Sequence, residues 1–447
     1  MPHLLRSLAL LAVAVGILAG ARAAVAVETV VFVNADVFDS RSGDLLQDHS
    51  VVVSGNRIES VVKGRPEGQF DRVINVGGRV MLPGFIDTHV HLSIVGSTHA
   101  LNDLEWDYLA HNMAERSRAM LLRGFTTVRD LGGPVFGLRR AIEEGIVMGP
   151  RIFPSGAFVT QTGGHGDFRH TTDAHPLWHG LPSQAQALGY FRLADGVPAV
   201  LASVRENLRK GATQIKIMGS GGVGSEYDPI DSVQYTPAEI QAAVQAAADW
   251  GTYVAAHLHN AEAIVRSVEN GVRSVDHGFM INEEGARLMA EKNAYLSTQY
   301  AILDITLELD FLTADQLAKA REVIDASSDM TRLAKKHGVK VAFSTDSFGP
   351  AALAASLQNR EWEARAQRFS NAEVLQQATL ISAELVELAG KRNPYPGKLG
   401  VIEAGAMADI LIVDGNPLEQ IDLLAAPERN LVVIMKDGKI HKNMLVP

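Results

Sequence analysis

The side chains best suited to chemistry recur in one kind of place. His89 and His91 follow the apolar run Gly84-Phe85-Ile86, His257 ends Tyr253-Val254-Ala255-Ala256, and His277 ends Ser274-Val275-Asp276. Lys216 interrupts Gln214-Ile215-Lys216-Ile217-Met218, and Asp346 follows Val341-Ala342-Phe343-Ser344-Thr345. Imidazole and carboxylate are ligands of first-row divalent metals. The chain has no cysteine, which excludes disulfides and thiolate sites, so a metal would need His, carboxylate or a modified side chain. His89 and His91 are two residues apart, a spacing that points both rings to one face of a strand. Singly, each residue also fits an ordinary role. A His ending an apolar strand can be a hydrogen-bonded core residue, Lys216 can snorkel from a strand end, and Asp346 can cap a following helix. Those roles do not explain why such residues recur at the same end of five strands.

These ends can converge only if the strands lie side by side and parallel. Short apolar strands are expected at 84–87, 126–129, 151–157, 214–217, 253–256, 274–276, 295–298 and 340–344. Between them lie helix-like stretches such as 237–250 and 261–270, the first with Thr236 as a cap and Pro237 in its first turn. Strand–helix alternation repeated eight times predicts an α/β fold, a (β/α)8 TIM barrel whose C-terminal strand ends share one mouth. A doubly wound open sheet is the competing topology. The two ends differ from this middle. Residues 29–33, 50–53 and 58–62, then 409–413 and 431–435, read as short β strands, and Asp437-Gly438 gives a hairpin signal. The simplest arrangement pairs both ends in one small sheet domain, the alternative being two independent β appendages.

Bulk properties narrow the function. The 447 residues, 47% hydrophobic and 21% charged, suit one large domain plus a smaller one. A net charge of −10 with no basic stripe argues against nucleic acid as a partner. His3 and Arg6, the apolar run 8–19 and the small residues at 21–26 read as a secretory signal peptide over 1–26, too short for a membrane span. The mature chain is therefore expected to be exported, periplasmic or extracellular, without a stable membrane span.

Two longer motifs make the sequence recognisable. Val80-Met81-Leu82-Pro83-Gly84-Phe85-Ile86-Asp87-Thr88-His89-Val90-His91 and Leu399-Gly400-Val401-Ile402-Glu403-Ala404-Gly405-Ala406-Met407-Ala408-Asp409-Ile410 resemble the amidohydrolase superfamily. Within it, the chain is similar to the imidazolonepropionase-like and Xaa-Pro dipeptidase-like branch. The narrower likeness is to bacterial amidohydrolases that remove phenylalanine from ochratoxin A. The resemblance implies a β-sandwich built from 27–82 and 393–447 around a hydrolase barrel at 83–392. It implies two divalent metal ions, expected to be zinc. His89 and His91 would hold the more buried ion and His257 and His277 the more exposed one. Lys216, carbamylated, would bridge them, and Asp346 would be both ligand and general base. A carbamate suits the role because an unmodified lysine is a cation with donors only. His259 would be secondary. In similar enzymes a His in the position of His165, within Gly163-Gly164-His165-Gly166, contacts the developing oxyanion.

The loop 219–227 follows Lys216 and should line the mouth; Arg169, His170 and Tyr227 are the candidates to anchor a substrate carboxylate. The expected reaction is hydrolysis of the amide to a C-terminal amino acid in dipeptides or N-acyl amino acids, ochratoxin A among them. The substrate is thus a small molecule or short peptide. The alternatives are opening of a cyclic amide or imidazolone and a non-catalytic exported metal- or solute-binding protein. Similar enzymes imply a homo-oligomer, up to an octamer.

Overall fold

The computed structural model describes residues 28–97 and 99–445; the expected signal peptide at 1–26 lies outside the described residues. All eight expected barrel stretches form strands, and they run parallel. Phe85–Val90, Phe125–Asp130 and Arg151–Pro154 make a three-stranded sheet. Ile215–Met218, Val254–Asn260, Ser274–Met280, Tyr295–Thr298 and Val341–Phe343 follow one another in a seven-stranded sheet. Every residue of Phe85–Val90 and of Val254–Asn260 is buried. Strands covered on both faces read as continuous apolar runs, which is why they were legible.

The third stretch departs from expectation. It breaks after Pro154 and resumes as Phe158–Thr160, which pairs with Phe191–Leu193, a strand not expected from the sequence. Gly156 makes the break with φ +73°, and a Cβ there would come within 2.8 Å of the Asn207 side chain.

Both edges of the smaller sheet meet the larger one. Asp346 N–H donates to the His89 carbonyl at 2.8 Å and His91 N–H to the Ser347 carbonyl at 3.0 Å. On the other side Thr213 N–H donates to the Pro154 carbonyl at 2.8 Å. The result is a mixed α/β fold of TIM-barrel-like form. Pro237–Asp249 begins as expected, with Glu239 accepting the Thr236 N–H at 2.8 Å.

The two ends pair in one eight-stranded sheet. Val80–Pro83 pairs antiparallel with Ile410–Val413, Ile410 opposite Pro83, and this joins the N-terminal strands to the C-terminal hairpin. Independent appendages are thereby overturned. The hairpin turn has Asp437 at φ +52° and Gly438 at φ +73°, as the Asp-Gly signal requires. Arg151, on the strand Arg151–Pro154, reaches Asp409 and Asp437 of this sheet, and its Nη2 lies 3.0 Å from Asp409 Oδ1. Among the described residues no helix is long and apolar enough to cross a membrane.

Candidate metal centre

Backbone kinks aim the site's side chains. On a regular strand Asp276 and His277 would face opposite ways, but His277 adopts φ +71°. Asp346, just beyond Val341–Phe343, adopts φ +51°. Such non-glycine conformations cost roughly 1–3 kcal/mol and persist where the surroundings fix them, commonly at functional sites.

His89, His91, Lys216, His257, His277 and Asp346 line one cavity of ≈ 220 Å³, together with His165 and His259. Lys216 is 1% exposed, so it does not snorkel to solvent. Asp346 caps no helix, since the next one, Ala351–Ala366, starts after Pro350. One donor atom each from His89, His277 and Asp346 lies within 4.8 Å of the others. His89 Nε2 and His91 Nε2 are 3.2 Å apart, at 3.5 and 3.3 Å from Asp346 Oδ1. Metal–nitrogen bonds of about 2.1 Å at tetrahedral angles hold donor atoms about 3.4 Å apart. The spacing of these three atoms therefore fits the ligands of one small divalent ion. The His257 ring lies 4.5 Å from that of His277, and the His259 ring stacks at 5.2 Å on His277.

The protonation states suit that use. Burial, then Lys216 and neighbouring imidazoles, holds His89 well below the usual imidazole range. Burial does the same for His257 and His277, and brings His259 down to about 3. Neutral imidazole is the ligand form. Burial alone would raise the Asp346 carboxyl, but His91, His277 and Lys216 outweigh it and hold Asp346 below the ordinary range. Burial also lowers the Lys216 ammonium, with Asp276 acting in opposition.

Sequence reasoning missed the residues that hold these groups in place. Lys216 Nζ donates to Asp276 Oδ2 at 2.5 Å, and the same carboxylate accepts from Arg129 Nη2 at 2.8 Å and Ser274 Oγ at 3.1 Å. Gln299 Oε1 lies 2.9 Å from His277 Nδ1, and its Nε2 lies 3.4 Å from His89 Nδ1. A partner on Nδ1 leaves the other ring nitrogen for ligation. Asp276 was visible beside His277, but strand alternation assigns it to the opposite face, and only the kink at His277 removes that objection.

His165 is held firmly. Its Nδ1 lies 2.8 Å from Ser225 Oγ and 3.2 Å from Asp228 Oδ2, and its ring stacks 3.9 Å from His257. Asp228 is 2% exposed and also accepts the Gly222 N–H at 2.8 Å. The expected carboxylate anchors differ: Arg169, His170 and Tyr227 are not among the residues lining the cavity. The Arg169 fork closes on Asp167 at 2.8 and 2.6 Å, and the Tyr227 hydroxyl donates to the Arg169 carbonyl at 3.1 Å. The His170 N–H donates to Asp173 at 3.0 Å. An acidic neighbour engages the Arg169 guanidinium and a carbonyl the Tyr227 hydroxyl, and a sequence does not show which partner wins. The cavity is also lined by apolar side chains, Phe168, Phe279, Leu309, Phe311, Leu312 and Val323, of which Phe279 packs 5.4 Å from the His259 ring.

Comparison with known proteins identifies relatives across most of the chain. Residues 80–444 match the model of a family described as "Amidohydrolase family". The ochratoxinase of Aspergillus niger is 30% identical over 378 residues, 81% of this chain and 76% of that protein. A solved prolidase complexed with N-methylphosphonate-L-proline superposes with a TM-score of 0.85 at 37% identity, covering 93% of this chain and 100% of that one. A Xaa-Pro dipeptidase with bound methionine in its active site gives a TM-score of 0.81 at 30% identity, covering 93% and 100%.

Proposed function

The chain belongs to the amidohydrolase family and is a hydrolytic enzyme acting on C–N bonds, and from that premise we propose that it is a binuclear metal-dependent hydrolase of the amide to a C-terminal amino acid. The carrying observation is the convergence of His89, His91, Lys216, His257, His277 and Asp346 on one cavity that is otherwise lined largely by apolar side chains. His89, His91 and Asp346 would hold one ion, His257 and His277 the second, and Lys216, as a carbamate, would be shared. Burial favours the neutral amine of Lys216, the form that adds carbon dioxide; the carbamate then presents two oxygens where the ammonium had only donors. Zinc suits an imidazole–carboxylate set.

Two divalent ions bound there supply Lewis acidity, which activates water near neutral pH and polarises an amide carbonyl. The Asp346 carboxylate takes the proton from the attacking water and returns it to the nitrogen of the departing amine, a poor leaving group until protonated. His165, with Nδ1 turned to Asp228, offers Nε2 to the developing oxyanion. The apolar wall receives an aromatic or aliphatic substrate body and sheds water from it. The names of the relatives, an ochratoxinase, a prolidase and a Xaa-Pro dipeptidase, support linear amides as substrates: Xaa-Pro dipeptides, N-acyl amino acids and ochratoxin A.

The test is a panel of mature, zinc-loaded protein against Xaa-Pro and other dipeptides, N-acyl amino acids, ochratoxin A and cyclic amides. Release of free amino acid from linear substrates, lost on chelation and restored by zinc, is the expected result. Turnover of rings alone would overturn the linear-amide reading. The same proposal includes export with removal of residues 1–26, a sandwich at 27–82 and 393–447 around a closed barrel at 83–392, and a homo-oligomeric assembly. N-terminal sequencing of secreted protein and light scattering test the first and last of these.

A further inference from the structure

A glycine-rich loop, 219–228, forms the wall behind His165 and His257. Its Asp228 and Ser225 grip His165 Nδ1, and its Gly221 carbonyl lies 3.3 Å from His257 Nε2. Glycine lets the loop approach this closely: a Cβ on Gly222 would lie 2.2 Å from His165 Cε1. The same freedom leaves the loop without intrinsic stiffness.

The stiffness comes from a helix distant in sequence. Lys319, on Ala314–Ala326, donates from Nζ to the carbonyls of Gly222 at 2.9 Å, Ser225 at 2.7 Å and Asp228 at 3.1 Å. An ammonium has three donors, and here all three are spent on backbone oxygens of one loop. One turn earlier, Gln316 Nε2 donates to the Gly224 carbonyl at 2.9 Å. The helix starts in a capping box at Thr313, where Gln316 Oε1 accepts the Thr313 N–H at 2.9 Å. Ala320, Val323 and Ile324 of the same helix line the cavity. The element that meets a substrate's apolar body is thus the element that fixes the loop holding His165.

We infer that Lys319 is a positioning residue for His165, acting through the 222–228 carbonyls, and that it sets the rate of amide hydrolysis without binding metal or substrate. The inference rests on the amidohydrolase reading above for its kinetic part and on the loop geometry alone for its structural part. Lys319→Met removes the donors and keeps the stem; Lys319→Arg restores donors. In the zinc-loaded full-length enzyme, Lys319→Met is expected to raise amide hydrogen exchange in 219–228 at unchanged zinc content. With Ala-Pro or ochratoxin A, whichever is turned over, kcat should fall about 10- to 100-fold, as misplacement of a catalytic group by about an ångström does. KM should stay within about threefold of wild type, and Lys319→Arg should recover part of the loss. In a His165→Ala background the same substitution should cost less than about twofold, because the group it positions is gone. Unchanged exchange in 219–228 would overturn the inference, as would equal losses in both backgrounds. If wild type hydrolyses no amide, the functional reading fails while the exchange result still decides whether Lys319 holds the loop.

Discussion

At the scale of single residues, the site is a set of buried charges that hold one another in place. Asp346 Oδ1 lies 3.3 Å from His91 Nε2 and 3.5 Å from His89 Nε2, which places a carboxylate, a proton acceptor, inside the histidine cluster. Asp346→Asn should keep the fold and lower kcat by about 10²–10⁴-fold, the range of one general acid–base group, measured on any amide that wild type turns over. A near-wild-type rate would move the base elsewhere. Lys216→Ala should halve the zinc content by elemental analysis, and propionate should restore part of the second equivalent. Full zinc loading in the variant without added acid would remove Lys216 from the bridge. Asp276 is joined to Lys216, Arg129 and Ser274 at 0% exposure. Asp276→Asn leaves the Arg129 guanidinium buried beside a neutral amide, and zinc affinity in a chelator competition should weaken by about 10- to 100-fold.

At the scale of elements, what matters is where regular structure is interrupted. The strands Ser274–Met280 and Val341–Phe343 deliver Asp276, His277 and Asp346 only because His277 and Asp346 leave the extended conformation. The loop 219–228 is the complementary case, irregular backbone made specific by close approach. Gly222→Ala places its methyl against the His165 ring; kcat should fall tenfold or more at unchanged zinc content, a magnitude consistent with misplacing one catalytic group. A crystal structure of that variant with His165 unmoved and full activity would break the link between the loop and His165.

At the scale of the whole molecule, the barrel-like sheet and the terminal sheet are joined by a buried ion pair. Arg151 is 2% exposed and engages Asp409, 5% exposed, from the opposite end of the sequence. Arg151→Met leaves the Asp409 carboxylate buried without its cation, and unfolding in urea should show a loss of about 3–5 kcal/mol. A loss under 1 kcal/mol would mean that apolar packing alone holds the two sheets together.

Much of this is legible in the sequence. The parallel strands were readable because each is an apolar run buried on both faces, and the meeting of six chemically distinctive side chains at one cavity because they stand at the ends of such runs. The pairing of the termini could be expected from their shared β texture, although the register of Ile410 opposite Pro83 could not. Tertiary structure alone decided which polar groups face which. Arg169 was a candidate anchor for a substrate carboxylate and its fork is closed on Asp167, whereas Lys319, not among the candidates, holds three carbonyls of the loop behind His165. The difference is physical. Periodicity and burial are properties of a segment and are written along it, but a hydrogen bond between residues about ninety positions apart depends on distances and angles that exist only once the chain has closed on itself.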